Sequence, residues 1–112
     1  MKMIAPRLRH RVDIQNFASV QDSNTGAVTD TWTDVFEAVA AEIMPMSGRE
    51  FVAAQSIQAG VNTKITIRYV EGVEPRMRVV HGSTIYNIKA VLPDPTLRRH
   101  LTLLAEAGIN EG

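Results

Sequence analysis

The sequence predicts a mainly β protein, a small antiparallel β-barrel of about six strands with one short α-helix near residues 48–58 and a long hairpin. Three observations carry that reading. Apolar and polar residues alternate through most of the chain, the period of half-buried strands. Turn-forming clusters recur at near-regular spacing, as in small barrels. The alternation breaks once, after Pro45, where a helix-start signal stands instead.

From Leu8 the alternation is clean, with Leu8, His10, Val12 and Ile14 on one face and Arg9, Arg11, Asp13 and Gln15 on the other. Residues 1–7 precede it as a flexible arm, kept extended at its end by Pro6. Gln21 to Gly26 is a polar turn that folds the chain back into Ala27–Trp32 as a hairpin. Val35 to Met44 follows. Its alanines also permit a helix, but the run is short, flanked by β pattern and ended by Pro45, which favours a strand. The apolar phase changes at Asp34–Phe36, so a bulge or bend is expected there. Ser47 can cap the helix and Glu50 can reach back to the Ser47 amide, a capping box; Met46 and Phe51 occupy the positions of a hydrophobic staple. Phe51, Ala54 and Ile57 form the apolar stripe, Arg49, Gln55, Ser56 and Gln58 are expected outside, and Gly60 is the stop. Three turns are too short to stand alone, so the helix must dock.

From Asn62 the strand period returns, with Ile65, Ile67 and Tyr69 on one face. A loop at 71–75 leads to a strand over Arg76–Val80, and His81-Gly-Ser turns the chain into Thr84–Leu92. That strand is apolar on both faces, as expected for one that is central or lies beneath the helix. Pro93-Asp-Pro-Thr makes the last turn before a strand over Arg98–Ala105, with Leu101 and Leu103 inward and residues 106–112 as a flexible tail. No repeat or second domain interrupts residues 1–112.

Composition narrows the function. Twelve basic and twelve acidic residues cancel, which argues against a dedicated nucleic-acid binder. The lack of cysteine removes disulfides, thiolate catalysis and thiolate metal sites. No apolar run approaches the ~20 residues of a membrane span, and the N-terminus lacks the apolar centre of a signal peptide, so an intracellular protein without a membrane is expected.

The search for catalytic and metal-ligating residues is negative. His10, His81 and His100 are scattered without a second ligand type at metal spacing. Ser47 lacks the flanking glycines of a nucleophile elbow, and capping accounts for it. No glycine-rich phosphate loop occurs, no cofactor is implied, and the chain is read as not an enzyme. A small nucleic-acid-binding β-barrel is the rival class, but such barrels use aromatic platforms and a basic groove, and only 5% of this chain is aromatic. What the residues favour is an interaction module. Arg7, Arg9 and Arg11 are either a solvated face or a docking surface. Together with Asp30, Asp34, Arg49 and Gln55 they make the candidate subunit and partner interface.

Several segments in order resemble one family. Arg7-Leu-Arg-His-Arg-Val-Asp-Ile-Gln, Thr31-Trp-Thr-Asp-Val and Met46-Ser-Gly-Arg-Glu-Phe are followed by Thr63-Lys-Ile-Thr-Ile-Arg-Tyr, Met77-Arg-Val-Val-His-Gly, Tyr86-Asn-Ile and Leu101-Thr-Leu-Leu. Together they are similar to the head–tail joining proteins of tailed bacteriophages, also called head-closure, stopper or head-tail adaptor proteins, over about Arg7 to Leu104. The resemblance implies a structural virion protein made in the host bacterial cytoplasm. It would form an oligomeric ring, of twelve copies, in the connector between the portal and adaptor rings and the tail proteins. It would retain packaged double-stranded DNA in the channel without sequence specificity. Prophages and gene transfer agents carry relatives. The candidate channel loop is Gln58, Ala59, Gly60, Val61, Asn62 and Thr63, or else the Gln21–Gly26 hairpin tip. Arg7, Arg9 and Arg11 against Asp30, Asp34 and Glu37 suit pairing either between subunits or within one monomer across the first hairpin.

Overall fold

The computed structural model describes residues 8–56, 59–94 and 99–107. Six strands close into an antiparallel barrel. They are β1 (His10–Gln21), β2 (Val28–Pro45), β3 (Thr63–Arg68), β4 (Arg78–His81), β5 (Thr84–Pro93) and β6 (His100–Ala107), with helix α1 (Gly48–Gln55) between β2 and β3. Around the barrel the order is β1-β2-β3-β6-β5-β4, and β4 pairs back onto β1 to close it. Closure leaves the barrel no sheet edge.

The alternation works as expected where the interior takes one face. Val12, Ile14, Ile65, Ile67, Val79, Ile88, Leu101 and Leu103 are buried together, with Phe36, Val39, Tyr86 and Val91 packed around them. A second, smaller cluster lies outside the barrel wall, where Ala54 of α1 covers Val61 and Leu104, with Met46 and Ala90 at its margin.

Two bulges replace the expected break between two strands. Val28–Pro45 is one 18-residue strand. Its register against β1 runs Val12↔Val39, Ile14↔Phe36, Gln15↔Asp34, so β2 inserts an extra residue twice within this interval. One insertion places Ala38 at φ +54, a conformation unfavourable for a residue with a Cβ. Asp13 holds it, its Oδ1 accepting the Ala38 amide at 3.0 Å. The phase change legible at Asp34–Phe36 is thus a doubled bulge inside one strand.

β5 contains the same device. It pairs Ile88 with Ala105 and then Ala90 with Leu104, skipping Lys89. The slip exchanges faces, since a shift by one residue turns every following side chain over. Ile88 and Val91 therefore face the core while Ala90 faces the helix, and Leu92 is exposed.

Other boundaries move. Arg76–Val80 becomes Arg78–His81, with Arg76 in the loop at φ +86. The last strand runs to Ala107, so Glu106 and Ala107, expected in the tail, are paired to Asn87 and Tyr86. His10 is exposed rather than inward and stacks edge-on against His81, ring centroids 4.8 Å apart. Leu8 is buried although it precedes the strand.

Half of the first hairpin stands away from the barrel. β1 pairs with β4 only over Asp13–Gln15, and β2 pairs with β3 only over Ala41–Pro45. Among the described residues, 16–21 and 28–33 therefore pair with one another alone, a two-stranded ribbon about 20 Å long at the strand rise of ~3.4 Å per residue. This arm accounts for the elongated outline, 55 × 27 × 26 Å.

Candidate functional site

Two features outside the barrel wall are candidates for interaction, the helix with its exit and the arm.

The helix starts as the sequence dictates. Ser47 Oγ accepts from the Glu50 amide at 3.2 Å, and Glu50 Oε1 accepts from the Ser47 amide at 3.1 Å. Glu50 also meets Lys64 of β3 at 2.6 Å. The Lys64 ammonium, followed by the Ser47 amide, holds the Glu50 carboxyl below its ordinary pKa. The end differs from expectation. The helix stops at Gln55 with Ser56 as C-cap, so Gln58 is not part of it; residues 57–58, including Ile57 of the expected stripe, lie outside the described residues. Ala54 alone of the helix is buried, and Phe51 is left 42% exposed. Met46 packs on the small outer cluster, which fixes the entry to the helix.

Gln55, expected on the exposed face, is half-buried and structural. Its Nε2 donates to Val61 O at 2.9 Å and its Oε1 accepts from the Gly60 amide at 2.9 Å. Gly60 is obligatory here, because it holds φ +91 and a Cβ would meet the Glu106 carboxylate at 3.0 Å. Val61 is fully buried. Asn62 joins three elements: its carbonyl accepts from Met46 N, its amide donates to Ala105 O, and its Oδ1 accepts from Ala107 N at 3.0 Å and the Thr63 hydroxyl at 2.9 Å. Thr63 begins β3. Of the candidate channel loop, Val61, Asn62 and Thr63 are thus built into the barrel wall, and Ala59 is exposed. Gln58 lies outside the described residues.

On the arm, the register sets Gln15 opposite Asp34, Phe17 opposite Trp32 and Ser19 opposite Asp30, so these six side chains share one face. Phe17 and Trp32 pack with ring centroids 5.1 Å apart, and Phe17 is 49% exposed. Arg78 of β4 stacks over Trp32 at 4.2 Å and its Nε donates to Gln15 Oε1 at 2.8 Å. Partial burial draws the Arg78 pKa down. Asp34 accepts from Gln15 Nε2 and Asp30 from the Ser19 hydroxyl. The tip is closed by Asp22, whose carbonyl accepts from Gly26 N at 2.7 Å and whose amide donates to Ala27 O. Trp32 is half-buried at the root of the arm.

Neither Asp30 nor Asp34 lies opposite an arginine of β1. Arg11 pairs in register with Ala40, four β1 residues from Gln15 and Asp34. Arg11 is therefore not a register neighbour of either acid across the first hairpin. Arg7 lies outside the described residues, and Arg49 is exposed on the first turn of α1. Among the described residues no group of three or more histidines and carboxylates is placed to hold a metal ion. No described helix is long and apolar enough to cross a membrane.

The comparisons with known proteins concern the whole fold. The head completion protein gp16 of Bacillus phage SPP1 is 35% identical over 75 residues, which are 65% of this chain and 68% of gp16. The solution structure of protein SF1141 from Shigella flexneri 2a matches 97% of this chain and all of its own, with 27% identity and a TM-score of 0.76. A chain in the virion of a native gene transfer agent particle matches 91% of this chain and 96% of its own, at 18% identity and a TM-score of 0.58, a likeness of fold. The profile of the family described as phage head completion protein matches residues 3–108, and with that span of the barrel, helix and arm the chain belongs to the phage head completion protein family.

Proposed function

We propose that the protein is a structural component of a virion, acting at the head–tail connector to complete the head after DNA packaging. The observation that carries this reading is family membership over nearly the whole chain, together with the 35% identity to a head completion protein. In finer detail, copies of the chain form a ring between the portal and adaptor rings and the tail proteins. The ring retains the packaged DNA and offers the tail a docking face. The geometry supports this reading because a rigid, edgeless barrel suits a stacked ring, and a projecting arm suits contact with neighbours.

For the channel-facing element, the Gln21–Gly26 hairpin tip is the better of the two candidates. Its residues are all exposed, whereas most of the 58–63 segment is tied to β2, β6 and the helix by Gln55 and Asn62. Deleting the gene from a genome that encodes the whole particle tests the function. The expected product is heads that package DNA, leak it and carry no tails, seen by electron microscopy and nuclease sensitivity. Normal, tailed, infectious particles would refute the assignment.

A further inference from the structure

The zero net charge of the chain conceals a segregation. Residues 12–48, which contain nearly all of β1 and β2, hold Asp13, Asp22, Asp30, Asp34, Glu37 and Glu42 and no lysine or arginine. Because the total is zero, the rest of the chain carries an excess of six positive charges. The acidic segment includes the arm. On the face that continues the outer wall of the barrel, the Phe17–Trp32 pair lies between Asp30 and Asp34, each two residues away, about 7 Å along the strand. A half-exposed aromatic pair with carboxylates above and below is suited to a guanidinium, which stacks on the ring and bonds the carboxylate. Trp32 already takes one on one side, from Arg78 of its own barrel.

The complementary surface is on the same chain. Arg11 is opposite Ala40 on β1 and β2, and Arg68 stands one register step beyond the Ala41↔Ile67 pair on β3. The alternation that buries Ala41 and Ile67 turns Ala40 and Arg68 outward. Arg11 and Arg68 therefore flank a small side chain on the outer wall, both exposed. Among the described residues neither makes an ion pair or hydrogen bond. In one molecule this basic wall does not meet the arm patch: along β1, Arg11 lies four residues, about 14 Å, from the Gln15–Asp34 pair, about 20 Å from Phe17 and about 27 Å from Ser19.

We propose that the outer face of the arm docks on a second copy of this chain, with Phe17, Trp32, Asp30 and Asp34 of one copy receiving Arg11 and Arg68 of the next. The contact uses two different surfaces, so repetition makes a ring when the rotation closes. It rests on the ring reading above and specifies the joint.

Cysteine cross-linking of the full chain tests it, helped by the lack of native cysteine. A Ser19→Cys/Ala40→Cys variant, mildly oxidised at high protein concentration and low salt, should give a ladder of disulfide-linked multimers on non-reducing gels. The two sites cannot bond within one molecule, because a disulfide needs Cα atoms within about 7 Å. A Ser19→Cys/Ser83→Cys control, with the second cysteine in the exposed β4–β5 turn, should give none. Adding Asp30→Arg and Asp34→Arg should abolish the ladder, and adding Arg11→Asp and Arg68→Asp to that chain should restore it. Phe17→Ser alone should weaken the ladder with an unchanged circular dichroism spectrum. A ladder equal to the control, one indifferent to charge reversal, or capture in assembled particles of another virion protein in place of a second copy would overturn the proposal. The deletion phenotype is separate: leaking heads without the cross-link would refute this joint alone, and normal virions would refute the function beneath it.

Discussion

Replacing Ser47 by alanine isolates the start of the helix from everything else. Ser47 makes one side-chain hydrogen bond, to the Glu50 amide, while its own amide is held by Glu50 and does not depend on its side chain. Ser47→Ala therefore removes one of the two capping-box bonds and leaves an amide of the first turn to water. N-cap losses of this kind cost about 1 kcal/mol. At 112 residues that corresponds to a fall in Tm of roughly 4 °C. Ser47→Asp is the control, because aspartate caps about as well as serine and its charge suits the N-terminal end of the helix dipole. The assay is urea and thermal unfolding followed by far-ultraviolet circular dichroism, with the arm signal of Trp32 read separately by fluorescence. The midpoint of Ser47→Ala should fall at an unchanged urea slope, and Ser47→Asp should stay near the parent. An unchanged midpoint for the alanine variant, or equal losses for both, would show that Ser47 is not an energetic cap. A loss of several kcal/mol would show that the helix is integral to the barrel rather than docked on it.

Three further outcomes are expected. Asn62→Ala leaves the Ala107 amide without its acceptor, which should cost about 1–2 kcal/mol and speed hydrogen exchange at Ala107 more than in the middle of β6. The Glu50 carboxyl is held below its ordinary value chiefly by Lys64, so its contribution is fully present above the unfolded-state pKa. It is lost as pH falls through the lower folded-state value; Lys64→Gln should flatten that acid limb in a stability–pH profile. Single-stranded DNA titrated at low salt should show little binding, and tight, salt-dependent binding would favour a nucleic-acid barrel instead.

The barrel was legible because its inner face imposes a period on the chain. Val12 and Ile14, Ile65 and Ile67, Leu101 and Leu103 sit at the spacing the pleat demands, and the capping box at Ser47 and Glu50 is a local signal read without tertiary context. What failed to read has a common cause. The doubled bulge around Ala38 inserts two residues into β2 and the slip at Lys89 inserts one into β5, and the interrupted patterns then look like two strands or like a strand apolar on both sides. Asn62 gave no signal at all, since an asparagine after a helix reads as a loop residue, and only β6 supplies the amide it accepts. The length of the free arm was equally silent. Residues inside and outside the barrel alternate in the same way along β1 and β2, and which of them find third-strand partners depends on where β3 and β4 end.

The barrel and the arm differ in how they can associate with other molecules. The barrel is closed, so it cannot add a strand from a neighbour, and any contact on its wall must be made by side chains. The arm is the reverse, with no further strand among the described residues along either edge and a conformation that two strands alone hold only marginally. Its threonines, Thr29, Thr31 and Thr33, favour the extended form but bury nothing. An element this exposed loses little when it is undocked and gains order when it is held, so the energy of a contact there is spent partly on fixing the ribbon. Arg78 limits that cost at the root by clamping Trp32 and Gln15 to β4. Removing the clamp with Arg78→Leu should therefore leave the barrel folded and weaken whatever contact the arm makes, because the ribbon would then have to be ordered along its whole length.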